Sequence, residues 1–234
     1  MGSGAGRLVV LDCDGVLVDS ERLNVELDVR AIGELGWPIT REEVIARHVG
    51  LSEADATADI ESVIGRPIPP EWVARWRERY QAAYDSELEA VPGVGAAIED
   101  LVADGWAVCV ATSGERSATW RKLTRCGLEG WFTDASVFTA ADVARGKPAP
   151  DLFLWAAQRM GVGPDRCVVV EDSPHGVAGA RAAGMPCIGF AGSVTSRAQL
   201  ADADLIIDDM SGLAGAIRTL RGASESASVD LPGG

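Results

Sequence analysis

Residues 8–21 read LVVLDCDGVLVDSE, an aliphatic run that ends in two acids one residue apart. The aliphatic part predicts a buried strand over residues 7–11, because short β-branched and leucine-rich runs of this length are typical of strand cores. Asp12 and Asp14 follow directly, and Gly15 allows the chain to turn. Two like charges a few Å apart repel each other and resist burial. The pair therefore indicates that positive charge collects at this strand end.

The composition is that of a soluble globular protein with a strong acidic excess. Hydrophobic residues make up 47% of the 234 residues and charged residues 24%, and the formal net charge is −14. A chain of this charge is repelled by nucleic acid and by anionic membrane surfaces, so we expect neither as a partner. A small anionic substrate would need local positive charge from a few placed bases or from a metal.

The sequence shows no clear targeting signal and no cysteine spacing typical of a disulfide framework. No apolar run approaches the ~20 residues that span a bilayer, and acidic residues follow the first apolar run too soon for a secretory signal. Gly6 stands where N-myristoylation needs serine or threonine. The five cysteines are dispersed without a Cys-x-x-Cys pair, which is typical of reduced thiols. We expect a cytoplasmic protein that is a monomer or a weak homodimer.

The segment from residue 19 to residue 90 contains helical patterns and no convincing strand. Helices are predicted over residues 20–35, 41–48, 53–64 and 70–87, the first with Ser20 as its cap. This pattern indicates an all-helical domain inserted directly after the first strand.

Strands and helices alternate after residue 91. Strand signals at WAVCVAT, SVFT, RCVVVE, PCIGF and ADLIID are separated by helical segments. Such alternation predicts an α/β fold, a Rossmann-like parallel sheet with helices on both faces. We expect residues 1–18 and 91–222 to form this core, residues 19–90 a helical cap, and residues 223–234 a disordered Ser- and Gly-rich tail.

Polar residues occupy the carboxyl ends of the predicted strands, where ligands gather in open α/β sheets. Each alone has an ordinary structural explanation, as a turn residue, a helix cap or a solvated charge. Together, in this order, they predict one site. Its members are four carboxylates, two hydroxyls and a lysine: Asp12, Asp14, Thr112, Ser113, Lys147, Glu171 and Asp172.

The acids among them predict a magnesium site. Asp12 and Asp172, helped by Glu171, offer only oxygen ligands, and Mg²⁺ accepts a few carboxylates while keeping room for water and a phosphate oxygen. Lys122 and Lys147 are the only lysines in a chain whose other bases are arginines. Lysine at position 147 hints at a need for a compact point charge.

Four segments resemble the motifs of the haloacid dehalogenase-like hydrolases: DCDGVLVDSE, VATSG, GKPAPD and EDSPHG. Their order and spacing resemble the branch with a helical cap after the first motif, which includes β-phosphoglucomutase and sugar-phosphate phosphatases. The resemblance spans nearly the whole chain. It implies a Mg²⁺-dependent phosphoric monoester hydrolase that works through an aspartyl-phosphate.

The resemblance also implies roles for the motif residues. Asp12 would be the nucleophile and Asp14 the general acid and base. Thr112 and the Ser113 backbone would bind the phosphoryl oxygens, and Lys147 would neutralise charge on phosphate and nucleophile. The implied metal ligands are Asp12, the Asp14 carbonyl, Asp172, and Glu171 directly or through water.

Four other functions share part of this pattern. A phospho-receiver module uses similar acids but is shorter and has no helical insert. The dehalogenase branch lacks the second acid, which Asp14 supplies here, and the phosphonate-cleaving branch needs a cap lysine that this insert lacks. β-Phosphoglucomutase remains the alternative, although Asn24 and Glu53 stand where that enzyme has a histidine and an arginine.

The cap is expected to select a small-molecule phosphate ester by closing over the phosphate. Polar residues of both signs in the cap favour a sugar or polyol phosphate. The candidate substrate contacts are Glu21, Asn24, Arg47, His48, Glu53, Arg75 and Trp76.

Overall fold

The centre of the molecule is a six-stranded parallel sheet. The structure is a computed structural model that describes residues 6–49 and 53–229, with only the backbone described for 53–55 and 222–229. The strands are β1 Arg7–Leu11, β2 Trp106–Thr112, β3 Val137–Thr139, β4 Cys167–Glu171, β5 Cys187–Phe190 and β6 Leu205–Ile207. Their order is β3-β2-β1-β4-β5-β6. The order reverses between β1 and β4, which is where α/β sheets of this kind bind ligands.

Nine helices accompany the sheet within the described residues. Four lie between β1 and β2: α1 Ser20–Glu34, α2 Arg41–Arg47, α3 Glu53–Ile64 and α4 Pro70–Glu87. Five alternate with or follow the later strands: α5 Val94–Ala103, α6 Arg116–Arg125, α7 Asp151–Met160, α8 Pro174–Ala182 and α9 Leu213–Val229. The predicted α/β class with a Rossmann-like sheet is confirmed.

Strand β1 is buried on both faces because its side chains alternate between two apolar layers. Val9 and Leu11 pack in the layer that contains α5 and α9, whereas Leu8 and Val10 pack in the layer that contains α7 and α8. All four side chains have 0% exposure. Continuous aliphatic character, rather than alternation with polar residues, follows from this two-sided burial.

Helices α1 to α4 enclose their own apolar centres. Helix α2 begins with a capping box, in which the Thr40 hydroxyl accepts from the Glu43 N–H and the Glu43 carboxylate accepts from the Thr40 N–H. The predicted cap of α1 is wrong: Asp19 occupies the N-cap position. The Ser20 hydroxyl instead donates to Asp14 in the turn that follows β1.

The two chain segments that join the helical insert to the sheet run beside each other. The Asp19 N–H donates to the Glu89 carbonyl at 2.9 Å, and the Val91 N–H donates to the Leu17 carbonyl at 3.0 Å. Val194, in the loop after β5, packs against the apolar centre of the insert. We propose that the sheet forms a core domain and helices α1 to α4 a cap domain, because only these two adjacent segments join them.

Helix α9 continues through residues 223–229 to Val229, and the disordered tail stays a prediction. Alanine propagates a helix well, and the last glycine before this stretch is Gly222. Residues 230–234 lie outside the described residues. Among the helices described, none combines the length and apolarity that a membrane span requires.

Candidate active site

Three buried carboxylates meet where the sheet order reverses. Asp12 follows β1, Glu171 ends β4 and Asp172 comes next, with exposures of 7%, 0% and 4%. One oxygen from each lies within 4.8 Å of the others. Burial raises the pKa of Asp12 to about 7, although the positive charge of Lys147 opposes this shift. The pKa of Asp172 is raised well above its usual range by burial and by the negative charges of Asp12 and Glu171.

Lys147 enters this cluster from the loop before α7. Its Nζ donates to Asp12 Oδ1 at 2.6 Å, to the Ala111 carbonyl at 2.9 Å, and to Glu171 Oε1. Burial alone would lower the pKa of the ammonium, but the two carboxylates outweigh it and hold the pKa above its ordinary value. One cation therefore links the end of β1 to the end of β4.

Two glycines make room for the acids. A Cβ at Gly15 would lie 1.8 Å from Asp172 Oδ2, and Gly15 has φ +77°, a conformation that favours glycine. A Cβ at Gly176, in the first turn of α8, would lie 1.8 Å from the Glu171 carboxyl carbon. The EDSPHG segment thus needs its final glycine so that Glu171 can lie against the helix.

Asp14 has different partners from Asp12. Its Oδ1 accepts from the Ser20 hydroxyl at 2.5 Å and from Lys122 Nζ at 2.5 Å. Lys122 belongs to α6, and its Nζ also lies 5.0 Å from the centre of the Tyr84 ring on α4. Sequence reasoning gave Lys122 no role, although its rarity as one of two lysines was a usable signal. Both partners contact one oxygen, so they orient the carboxylate, and Oδ2 accepts no hydrogen bond from another described residue.

Asp12, Asp14 and Asp172 border a cleft of about 560 Å³ that the predicted phosphate-binding residues Thr112, Ser113 and Lys147 also line. Thr112 is buried and its hydroxyl accepts from the Gly114 N–H at 3.1 Å, whereas Ser113 is exposed. Thr195 lines the same cleft with a buried hydroxyl that has no hydrogen-bond partner in the described part of the chain. Nothing in the sequence pattern had indicated Thr195.

The donor set fits Mg²⁺. Asp172 is buried yet forms no hydrogen bond to another described residue, which leaves an acceptor that a cation would satisfy. All three nearby ligands are carboxylate oxygens, the type that Mg²⁺ prefers. Glu171 already accepts from Lys147 and, through Oε2, from the Ser173 hydroxyl at 2.9 Å. Both oxygens of the Glu171 carboxylate therefore already accept hydrogen bonds.

We expect Lys122→Met to lower kcat by about 10- to 100-fold, because the ammonium that orients the Asp14 carboxylate is lost. KM should change less than kcat, since Lys122 does not line the cleft. Lys122→Arg should recover part of the loss. Arg121→Met, an exposed neighbour on α6, is the control. Steady-state kinetics would refute the assignment if Lys122→Met retained more than half of the wild-type kcat.

The predicted cap residues fall into two groups. Four line a second cavity, of about 500 Å³, inside the helical insert: Glu21, Asn24, His48 and Trp76. Glu21 also lines the catalytic cleft. Burial raises the pKa of Glu21 to about 7. His48 is 8% exposed and its Nε2 lies 2.9 Å from Asp59 Oδ2.

The other predicted cap residues lie elsewhere. Arg47 contacts Asp59 through two nitrogens at 3.1 and 2.8 Å, and Arg75 contacts Glu34 at 2.9 Å. Neither arginine lines the cleft or the cavity, because these ion pairs hold both side chains at the surface. The Glu53 side chain lies outside the described residues.

Comparison with known proteins agrees with this geometry. Residues 7–184 match the family model of haloacid dehalogenase-like hydrolases. The chain is 30% identical to 6-phosphogluconate phosphatase of Escherichia coli K12, over 78% of this chain and 81% of that protein. It is 32% identical to a phosphorylated carbohydrates phosphatase of Thermotoga maritima, over 76% and 81%. A haloacid dehalogenase-like protein of unknown function from Agrobacterium tumefaciens C58 superposes with a TM-score of 0.83 at 32% identity, over 92% of this chain and 99% of that one.

Proposed function

This chain belongs to the haloacid dehalogenase-like hydrolases and is a phosphatase, and we propose that it hydrolyses sugar or polyol monophosphates with Mg²⁺ through an aspartyl-phosphate. The observation that supports this most is the different surroundings of two acids in one loop. Asp12 contacts the buried Lys147, whereas Asp14 contacts Ser20 and Lys122. Two carboxylates held in different surroundings can perform two different steps.

In the first step, an Asp12 carboxylate oxygen attacks phosphorus while the bond from phosphorus to the ester oxygen breaks. Lys147 holds Oδ1 of Asp12, which leaves Oδ2 without a hydrogen-bond partner in the described structure. A protonated Asp14 gives its proton to the departing alkoxide, so the leaving group departs as a neutral alcohol. Thr112 and the Ser113 backbone orient the phosphoryl oxygens.

In the second step, Asp14 takes a proton from water, and the resulting hydroxide attacks phosphorus. The bond between phosphorus and Asp12 breaks, which releases inorganic phosphate and restores the carboxylate. Lys147 stabilises charge on Asp12 in both steps, because phosphoryl transfer depends mainly on positioning and electrostatic stabilisation.

The metal would be held by Asp12, Asp172 and the Asp14 carbonyl, with Glu171 as a contact through water. When bound, Mg²⁺ supplies positive charge that offsets the phosphoryl oxygens and the repulsion among the buried acids. Ser173 supports this arrangement, since its hydroxyl and N–H both donate to Glu171.

The relatives' names support carbohydrate phosphates as the substrate class. A phosphosugar mutase would have to hold a second phosphate in the cap. Glu21, a described cap residue that lines the cleft, disfavours this because its carboxylate would repel a second phosphate.

Phosphate release from a panel of sugar, polyol and nucleotide monophosphates, with Mg²⁺ and with EDTA, tests the proposal. We expect Mg²⁺-dependent release from a narrow group of carbohydrate esters. β-Glucose 1-phosphate belongs in the panel, with glucose 6-phosphate measured separately. Formation of glucose 6-phosphate with little free phosphate would identify a mutase, and release that is unchanged in EDTA would refute the metal assignment.

A further inference from the structure

The cavity inside the helical insert opens toward the catalytic cleft. Its volume is about 500 Å³, and helices α1, α3 and α4 supply most of its wall. Glu21 and Val49 line both the cavity and the cleft, so the two spaces meet at these residues. A cavity of this size is large enough for a small organic ligand. The leaving group of a substrate whose phosphate lies in the cleft can therefore extend into the cavity.

One side of the cavity combines aromatic rings with hydrogen-bonding groups. Trp72, Trp76, Tyr80 and Tyr84 follow one another on α4 at helical spacing and all line the cavity. The Trp72 indole N–H is buried and has no hydrogen-bond partner within the described residues. Aromatic rings pack on the C–H faces of carbohydrates, and an unused N–H can donate to a hydroxyl oxygen. This wall suits a ligand that is apolar on one face and hydroxylated at its edges.

The charges in the cavity are mainly negative on the α1 side. Glu21 and Asp28 both line the cavity, and Tyr80 donates to Asp28 Oδ1. Glu21 and the second oxygen of Asp28 accept no hydrogen bond from another described residue. Arg77 also lines the cavity, but its side chain is exposed. Above the Glu21 pKa of about 7, these two half-buried carboxylates with free acceptor oxygens favour hydroxyl or ammonium donors and repel anions.

We propose that this cavity binds the leaving group of the substrate and selects a neutral polyhydroxylated or amine-bearing group of hexose size over one that carries a carboxylate or a second phosphate. The proposal rests on the phosphatase function proposed above. Hydroxyl or ammonium groups donate to Glu21 and Asp28, while the carbon skeleton packs against the aromatic wall. An anionic leaving group would bring its own negative charge close to the carboxylates of Glu21 and Asp28, which would repel it.

The test compares two esters with the same six-carbon chain, glucitol 6-phosphate and 6-phosphogluconate. Carbon 1 is a hydroxymethyl group in the first and a carboxylate in the second. We expect kcat/KM of the wild-type protein to be at least 10-fold higher for glucitol 6-phosphate. Asp28→Asn removes one charge and keeps the shape, and it should reduce this ratio at least fivefold. Glu26→Gln, on the exposed side of α1, is the matched control and should leave the ratio within twofold.

p-Nitrophenyl phosphate separates this proposal from the phosphatase function. If the wild-type protein hydrolyses p-nitrophenyl phosphate but the ratio of the two hexose-derived esters is near one or inverted, the cavity proposal alone is overturned. The same holds if it hydrolyses neither hexose-derived ester, or if Asp28→Asn and Glu26→Gln give equal ratios. Absence of phosphate release by the wild-type protein from p-nitrophenyl phosphate, from both hexose-derived esters and from the wider panel above would overturn the phosphatase function itself.

Discussion

Replacing Asp12 with asparagine is expected to lower kcat by about 10⁴-fold or more, because the amide cannot form the aspartyl-phosphate on which turnover depends. The fold should survive. Asparagine has the same shape, and Lys147 keeps its contacts with the Ala111 carbonyl and Glu171. Phosphate release from p-nitrophenyl phosphate measures the activity, and thermal unfolding measures the stability.

Asp202→Asn is the matched control for this prediction, because the Asp202 side chain is 79% exposed and lies outside the cleft. The control should keep wild-type activity. A folded Asp12→Asn variant with more than a tenth of wild-type activity would show that another group is the nucleophile. Acid-quenched protein should carry phosphate on Asp12 during turnover, and peptide mass spectrometry of the wild-type protein can locate it.

Replacing Lys147 with methionine should produce the second largest effect, on both activity and stability. The side chains of Lys147, Asp12 and Glu171 are 5%, 10% and 0% exposed, so the substitution leaves two buried carboxylates without their cation. Removing one member of a buried ion pair costs about 3–5 kcal/mol in the free energy of unfolding. Loss of one such charge from a phosphoryl site should lower kcat by about 10²- to 10³-fold.

Denaturant unfolding in EDTA and in Mg²⁺ tests this prediction. Mg²⁺ should stabilise Lys147→Met more than it stabilises the wild-type protein, because the ion compensates for part of the lost charge. Arg145→Met is the control: its ion pair with Asp151 is exposed on the arginine side, and its loss should cost about 0–1 kcal/mol. Equal effects of the two substitutions on stability would contradict the role given to Lys147.

Much of the site can be predicted from the sequence because its residues sit at strand ends. Asp12 follows β1 and Glu171 ends β4, and parallel strands bring their carboxyl ends to one edge of the sheet. Lys147 joins them from a loop at the same edge. Helix periodicity likewise predicts α3, α4 and α7 with the bounds that the structure has.

Contacts between separate elements could not be predicted in this way. Lys122 lies 108 positions from Asp14, and no periodicity in α6 indicates that its ammonium reaches the catalytic loop. Arg47 and Arg75 were expected at the substrate, yet each pairs with a carboxylate of another helix, Asp59 and Glu34. Partner choice of this kind depends on how helices pack, not on the spacing within one helix.

The sequence by itself determined the order of strands and helices, the interruption after β1 and the acids at the strand ends, because hydrophobic period and turn residues are local properties of the chain. Only the tertiary structure decided that Asp14 is oriented by Ser20 and Lys122, and that α1, α3 and α4 enclose a second cavity beside the cleft. Those features arise from the distances and angles between elements that are far apart in the chain. Packing sets these distances and angles, and no short segment of sequence encodes them.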